Sequence, residues 1–295
     1  MSYGEFSNIF IYSKRSRNAR LILYFYCIFG FLTSANCPAI DFANQIWPVT
    51  CTSKTAQSPV DFPRNQAFYF YSDTLGIINT YYSATFSSYA IRSSAEKIGY
   101  FGLNGAGYIT FMKDKQTADY SLTDIYLYTP SEHSFDDIQS QIEIQFVHKS
   151  SSNSILIISL LFDNNATVDN PDLAGFQFTL SGTLSNLRLS SLIKTTDYYY
   201  FYEGSTTDSS CAEPVNWVVF NTPYSMSKSQ FNGVYKFIIN AFPYGNNRPV
   251  QLYNRRLTYK TYYSNFLISD MKNRVTYLHS HSLLLLTCLL LLLTL

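Results

Sequence analysis

The sequence predicts a mainly β, single-domain protein, built on a large and mostly antiparallel sheet with short helices around it. Short apolar runs separated by polar, turn-rich stretches are typical of strands and turns, and they continue through most of the chain. Long helical periodicity is scarce. The 295 residues include 26 Tyr and 23 Phe but only 14% charged residues, which favours a folded, strand-rich chain over a disordered one.

The apolar runs that indicate strands are, in chain order, AFYFY, YITFM, DIYLY, IEIQFVH, SILIISLLF, FQFTL, VNWVVF and KFIINAF. One short helix is predicted over SMSKSQFNGVYKF, with Ser225 or Ser227 as its N-cap, because a serine before an apolar-periodic stretch is a common helix start. No repeat and no long linker interrupts residues 37–268, so a single domain is predicted there.

The first 35 residues are predicted to be a secretory signal peptide. A basic stretch, KRSRNAR, is followed by an apolar run over 21–32 and then by the small residues Thr33, Ser34 and Ala35. This is the order of charge, apolar run and cleavage site that signal peptides have. The apolar run is short for a membrane span, which needs about 20 residues. The alternative is a signal anchor that stays uncleaved and keeps its basic end in the cytoplasm.

Residues 269–295 are predicted to be a C-terminal attachment signal for a glycosylphosphatidylinositol anchor. The chain ends in a short leucine-rich run over 283–295, after a polar spacer and without a basic residue behind it. Such a tail is typical of the segment removed when the lipid anchor is added. A plain tail anchor is the alternative. With the signal peptide, this predicts a protein of the secretory pathway, held by the membrane on the extracellular side of the cell surface.

The charge pattern argues against a nucleic-acid-binding role, because the only local basic group, Arg248, Arg255, Arg256 and Lys260, is expected to be a solvated or locally paired surface. The formal net charge is +1, but the region 37–269 carries 15 Lys and Arg against 18 Asp and Glu. A nucleic-acid or sulfated-glycan site needs a basic footprint, and the body of the chain is slightly acidic.

A polar constellation is predicted on one face of two short strands, DIYLY and IEIQFVH. Side chains on a strand point to alternate faces with period two. Tyr126 and Tyr128 therefore share a face on the first strand, and Glu143 and Gln145 share a face on the second.

Four ordered stretches of the chain resemble the alpha-class carbonic anhydrases. They are CTSKTAQSPVDF (51–62), SEHSFD followed by IEIQFVH, YFYEGSTTDSSCAEPVNWVVF (200–220) and NNRPVQLYNRR (246–256). The first departs from the family pattern at Lys54, where glycine is usual. The resemblance runs from about Trp47 to Arg256. It implies the alpha-carbonic-anhydrase fold, a large, twisted, mostly antiparallel sheet of about ten strands with short peripheral helices.

The family's reaction, reversible hydration of carbon dioxide, uses a zinc ion held by three neutral imidazoles, with a fourth position open for water. Matched through the family motifs, the ligand positions here are Tyr126, Tyr128 and Gln145. A neutral phenol and an amide are poor zinc ligands. We therefore expect no metal and no other cofactor, and we expect the two tyrosines to fill the space and to bond with Gln145 and Glu143.

Other parts of the family site are kept or replaced. Thr207 matches the threonine that orients the zinc-bound hydroxide, and Glu132 matches its acceptor; we expect both to be structural relics. The proton-shuttle histidine is replaced by Ala106. His133 matches a structural turn histidine, and His148 is expected on the strand face opposite Gln145 unless a bulge intervenes.

The resemblance also implies a disulfide between Cys51 and Cys211, as in secreted members of the family. Cys37 would then be left over near the new N-terminus, where pairing between chains is open. Asn165 begins the sequon NAT in a polar loop and is predicted to carry an N-linked glycan.

These features predict a pseudoenzyme of the carbonic anhydrase family at the cell surface, which acts in binding or adhesion with a protein or a glycan as partner. A coat protein without a specific ligand fits the sequence equally well. The competing hypothesis is an active carbonic anhydrase (carbonate dehydratase) with an atypical metal site.

Overall fold

The computed structural model describes residues 41, 45, 47–52, 54–64, 69–70, 74–83, 91–94, 96–103, 105–176, 178, 188–254 and 256–261. All of them belong to one compact unit, Ile40–Leu295. The predicted signal peptide, the attachment segment 269–295 and Cys37 lie outside the described residues. The described part contains no helix that is long and apolar enough to span a membrane.

The described elements comprise fifteen strands, three α-helices and one 3-10 turn. The strands are β1 (Asp61–Phe62), β2 (Tyr69–Phe70), β3 (Gly76–Tyr82), β4 (Ile91–Ser93), β5 (Ile98–Phe101), β6 (Gly107–Lys113), β7 (Gln116–Tyr128), β8 (Ser134–Phe135), β9 (Ile138–Gln139), β10 (Ile142–Ser150), β11 (Ile155–Ala166), β12 (Tyr199–Gly204), β13 (Val215–Phe220), β14 (Tyr224–Ser227) and β15 (Thr258–Lys260). The α-helices are α1 (Val49–Thr52), α2 (Leu189–Leu192) and α3 (Lys228–Ala241), and the 3-10 turn is Pro171–Leu173.

Twelve strands form one sheet, whose main path is β2-β15-β12-β13-β11-β10-β7-β5-β4. β14 joins β11, and β6 joins β7 with β3 beyond it. Most pairs are antiparallel, and the parallel ones are β11 with β13, β11 with β14, and β2 with β15. The mainly β, mostly antiparallel fold class is thus confirmed. The sheet has twelve strands where the resemblance implies about ten, and its two end strands on the main path, β2 and β4, are only two and three residues long.

The sheet separates two apolar clusters. On β11, Leu156, Ile158 and Leu160 belong to the larger cluster, whereas Ile157 and Leu161 belong to the smaller one. This split follows from period-two alternation in a strand that is buried on both faces, which is why SILIISLLF reads as a continuous apolar run. The larger cluster includes one side of α3, and the smaller one includes the side chains around Trp217.

The predicted helix is present as α3, and its cap is Ser227. Ser227 Oγ accepts a hydrogen bond from the Gln230 amide at 3.1 Å, and Gln230 Oε1 accepts one from the Ser227 amide at 3.3 Å. This capping box satisfies backbone donors that the first turn leaves free. The apolar run KFIINAF, expected as a strand, forms the second half of α3 instead. The cap and the inward-facing Val234, Phe237 and Ile238 extend the helix through it.

Candidate functional site

The predicted polar face lies on β7 and β10. Tyr126 is the cross-strand partner of Gln145, and Tyr128 is the partner of Glu143. Directly opposed residues of an antiparallel pair point to the same face of the sheet, so the four side chains lie together. Tyr128, Glu143 and Gln145 are buried, whereas Tyr126 is partly exposed. The structure therefore brings together the three residues at the expected zinc-ligand positions.

The Gln145 side chain is held by two carboxylates. Its Nε2 atom donates to Glu132 Oε2 at 2.7 Å and to Glu143 Oε1 at 2.8 Å. A primary amide nitrogen carries two hydrogens and donates only, so both of its hydrogen bonds are used. The sequence predicts bonds from the two tyrosines to Gln145 and Glu143, whereas the bonds found here join Gln145 to Glu143 and to Glu132, and Tyr128 bonds with Thr207.

Glu143 is the centre of this network. Its Oε2 accepts from the backbone amides of Glu132 and His133 at 2.8 and 2.9 Å, and its Oε1 also accepts from the Ser159 hydroxyl at 2.8 Å. His133 Nδ1 lies 2.9 Å from Oε1. Burial alone raises the pKa of Glu143, but the charge of His133 and its hydrogen bonds lower it below the ordinary value. Glu143 is therefore the ionised member of the carboxyl pair.

Glu132 has the opposite electrostatic character. It is fully buried, and its Oε1 accepts from the Arg248 backbone amide at 3.0 Å. Burial, followed by the negative charge of Glu143, raises the pKa of Glu132 to about 8. Hydrogen bonds from Arg248, Thr207 and Gln145 oppose this rise. Glu132 consequently holds a proton at neutral pH, since two adjacent buried carboxyls do not both ionise.

The two tyrosines remain neutral phenols. Burial raises the pKa of Tyr128 well above its usual range; Glu132 adds to this effect and a hydrogen bond with Thr207 opposes it. Burial also raises the pKa of Tyr126, and the charge of Asp124 raises it further. A phenol must lose its proton to bind zinc well, and the Gln145 nitrogen has no free lone pair. The donor set does not fit zinc, and the described residues contain no group of three or more His, Cys, Asp or Glu that could hold a metal ion.

Above Tyr126, an ion pair ties two segments together. Lys97 Nζ lies 2.5 Å from Asp208 Oδ2 and 4.5 Å from the centre of the Tyr126 ring. The Ser209 amide donates to Glu96 Oε2 at 3.0 Å. Burial raises the pKa of Asp208, but Lys97 outweighs this effect and lowers it to about 2. Asp208 stands where the family segment LTTPPC has its second threonine, and Lys97, its partner, was not identified from the sequence.

The disulfide between Cys51 and Cys211 is confirmed, and it anchors the other end of the same segment. Lys54, which stands where the family usually has glycine, donates through Nζ to the Cys211 carbonyl at 2.7 Å. Gln57 Nε2 donates to Glu213 Oε1 at 2.5 Å. The segment 206–213 is thus held near Cys211 by the disulfide and by Lys54 and Gln57, and at Asp208 by Lys97.

The remaining residues singled out in the sequence lie apart from this network or at its edge. His133 Nε2 is 2.7 Å from the Tyr202 hydroxyl, so His133 links the network to the smaller cluster. Ala106, at the proton-shuttle position, is buried in the larger cluster. Asn165 lies near the end of β11 and is exposed.

His148 lies on the face opposite Gln145, as predicted. Its cross-strand partners Leu122 and Leu156 belong to the larger cluster, although the pairing with β7 is irregular between Val147 and His148. His148 Nε2 is 2.7 Å from the Tyr82 hydroxyl. Burial lowers the pKa of His148 to about 3, so the imidazole is neutral and belongs to the core.

Stability is expected to be greatest in weakly acidic solution. Folded Glu132 keeps a proton up to about pH 8, whereas unfolded glutamate loses it near 4.5, so stability falls as pH rises toward 8. Folded His148 stays neutral down to about pH 3, whereas unfolded histidine is protonated below 6.5, so its contribution is lost as pH falls. The two effects oppose each other between pH 4.5 and 6.5. From pH 6.5 to 8 we expect a loss on the order of 1–2 kcal/mol in urea unfolding.

The matched control for this pH dependence is Glu132→Gln, which removes the titrating group. Whatever its absolute stability, this variant should show no fall in unfolding free energy between pH 6.5 and 8. A wild-type profile that is flat across the same interval would show that Glu132 is already ionised in the folded protein.

Comparison with known proteins identifies the family. The model of eukaryotic-type carbonic anhydrase matches residues 43–262. A carbonic anhydrase of Pectobacterium atrosepticum is 28% identical over 155 residues, which cover 50% of this chain and 60% of that protein. Dioscorin DB3S of Dioscorea polystachya is 26% identical over 233 residues, 77% of this chain and 81% of the relative.

A solved structure shows the same fold. Carbonic anhydrase Cah3 from Chlamydomonas reinhardtii, in complex with acetazolamide, superposes with a TM-score of 0.63 at 21% identity, and the match covers 78% of this chain and 98% of that one. The family match extends over the whole described sheet, including β7, β10 and the segment 206–213. The chain therefore belongs to the eukaryotic-type carbonic anhydrase family.

Proposed function

We propose that this chain is a non-catalytic member of the family, which serves at the cell surface as a binding or coat module. Its main support is the Gln145 amide, which donates both hydrogens to Glu132 and Glu143 at a position where the family has a metal-binding imidazole. Tyr126 and Tyr128, at the other two ligand positions, are protonated phenols.

The changes around the site support the same function because they stabilise one another. Asp208 pairs with Lys97, Lys97 stacks on Tyr126, and Gln145 joins the two carboxyls. An accidental loss of one zinc ligand would leave buried groups without partners, which destabilises a fold. Here the replaced residues supply hydrogen-bond and charge partners for one another. A domain that is retained for its structure and its surface requires such pairing, because it keeps the fold stable.

Display at the cell surface is supported by the sequence of the two ends and by the disulfide. Disulfides persist in oxidising compartments, which an exported chain reaches. Asn165 is exposed, so its sequon can carry a glycan. A protein or glycan partner on the extracellular side fits this placement, and the membrane contact is made through the C-terminal anchor.

Zinc content and hydration of carbon dioxide test this function together. We expect the full chain, expressed with added zinc and purified in detergent, to hold less than about 0.1 zinc per chain. Carbon dioxide hydration should proceed at the uncatalysed rate measured in buffer alone, because the site lacks the zinc ligands through which a metal lowers the pKa of a bound water.

A zinc-loaded carbonic anhydrase serves as the control for both measurements. About one zinc per chain, with hydration that a chelator abolishes, would overturn the proposed function in favour of an enzyme with an atypical metal site. Folding is monitored in parallel by a single cooperative urea unfolding transition of the same preparation.

A further inference from the structure

Two exposed tyrosines form a stacked pair on the outer strands of the sheet. Tyr81 on β3 and Tyr108 on β6 are cross-strand partners, with ring centroids 4.8 Å apart and an angle of 26° between the planes. Tyr81 is 48% exposed and Tyr108 is 36% exposed. The pair is therefore an aromatic surface that the fold leaves open to solvent.

The same row of the sheet continues with small and polar side chains. Tyr108 is opposite Ser121 on β7, and Ser121 is opposite Lys149 on β10. Both Ser121 and Lys149 are exposed. A serine is too short to cover the side of the Tyr108 ring that faces away from Tyr81. With neighbouring strands about 4.8 Å apart, the row from Tyr81 to Lys149 is roughly 14 Å long.

A parallel row supplies hydrogen-bonding groups beside the rings. Asn79 on β3 is opposite Thr110 on β6, and Thr110 is opposite Asp119 on β7. The Thr110 hydroxyl donates to Asp119 Oδ1 at 2.6 Å, which orients the carboxylate. Asn79 and Asp119 are exposed, so both present donors or acceptors to solvent.

The composition of the two rows selects the partner. They hold one cation, Lys149, and one anion, Asp119, so the surface has no net charge for a sulfated or phosphorylated ligand. Neither row contains an aliphatic side chain, whereas the centre of a protein–protein interface is rich in apolar side chains. Rigid aromatic rings beside short hydroxyl and amide groups suit a ligand with a weakly polar face and a hydroxyl-bearing edge.

The geometry points to a binding surface for neutral oligosaccharides, formed by Tyr81, Tyr108 and Ser121 with Asn79 and Asp119 beside them. The C–H face of a pyranose ring packs on the tyrosines, and its hydroxyls bond to the amide and carboxylate. This inference rests on the proposed binding role and names its partner class. It uses no residue of the Glu143 network, so the two ideas fail separately.

Binding of defined neutral trisaccharides tests this surface. The full chain is prepared in a detergent without a sugar headgroup. It is titrated with four trimers: β-1,4-linked glucose, β-1,4-linked N-acetylglucosamine, α-1,4-linked glucose and α-1,2-linked mannose. Binding is measured by tyrosine fluorescence and by calorimetry. At least one trimer is expected to bind with a dissociation constant below about 1 mM. Tyr108→Ala should weaken it at least about tenfold, and Tyr108→Phe, which keeps the ring, should weaken it less.

Tyr244→Ala is the matched control, because Tyr244 is 68% exposed and lies outside both rows. It should bind the trimer as the wild type does. No binding of any trimer at about 1 mM, or equal binding by wild type and Tyr108→Ala, would overturn the inference. So would capture of a protein partner that Tyr108→Ala abolishes while the trimers do not compete. About one zinc per chain in the same preparation would contradict the non-catalytic function. The trimer binding would still decide whether the tyrosine surface binds glycans, because that surface uses no residue of the Glu143 network.

Discussion

Replacing Glu143 with alanine is expected to lower the free energy of unfolding by about 5 kcal/mol, or to prevent folding. The carboxylate is fully buried and accepts from two backbone amides, the Ser159 hydroxyl and the Gln145 amide, and it lies against His133 Nδ1. Alanine cannot accept any of these bonds. Each buried donor left without an acceptor costs about 1–3 kcal/mol, and the losses accumulate because all of them depend on one side chain.

The size of this effect separates a network that stabilises the fold from one that only occupies space. Glu203→Ala is the control, since Glu203 pairs with Lys113 but its side chain is 52% exposed. Exposed ion pairs contribute little, and we expect a change below about 0.5 kcal/mol. Urea unfolding of both variants at pH 7 makes the comparison. A Glu143→Ala protein within about 1 kcal/mol of wild type would show that water enters and replaces the carboxylate.

Local pattern predicts one half of this site. Strand alternation is a local property, so the shared face of Tyr126, Tyr128, Glu143 and Gln145 follows from the sequence, whereas the bond between Gln145 and Glu143 does not. The helix cap at Ser227 is local as well. The family motifs located the Cys51–Cys211 disulfide and the fold class, which the structure confirms.

The other half depends on partners that are distant in the chain. Lys97 and Asp208 are 111 residues apart, and Lys54 and Cys211 are 157 apart, so no local pattern relates them. The Glu132 pKa depends on its distance from Glu143 and on burial, which the sequence does not specify. Helix α3 shows a third limit, because an apolar run such as KFIINAF suits a strand and a helix equally until its cap and packing are known.

Several residues that depart from the family pattern lie in the segment 206–213 or contact it. Asp208, which stands where the family has threonine, pairs with Lys97, and Lys97 lies over the ring of Tyr126, at one of the positions that match the family's zinc ligands. Lys54 replaces a glycine and bonds to Cys211. Gln145, at one of the positions that match the family's zinc ligands, therefore belongs to a buried hydrogen-bond network, and Lys97 and Lys54 hold the segment 206–213 in place beside it.

Removal of the disulfide, through Cys51→Ser with Cys211→Ser, is expected to lower the free energy of unfolding by about 5 kcal/mol. The two cysteines are 160 residues apart, so the bond closes most of the domain into one loop. In the chain-entropy model a cross-link acts by restricting the unfolded chain, and the restriction grows with the logarithm of the loop length. The folded state should change little, because Lys97 and Lys54 hold the same segment from two sides.

The urea dependence distinguishes this mechanism from loss of native contacts. An unfolded chain without the cross-link is more expanded and exposes more surface, so the slope of unfolding free energy against urea should rise as the free energy falls. Lys97→Met is the contrasting variant, since it removes native contacts to Asp208 and Tyr126 and leaves the cross-linked unfolded chain as it was. It should lower stability with the slope unchanged. If the double serine variant also kept the wild-type slope, its lost stability would have to come from the folded state. The disulfide itself would then be the contact that fixes the segment 206–213 over Tyr126.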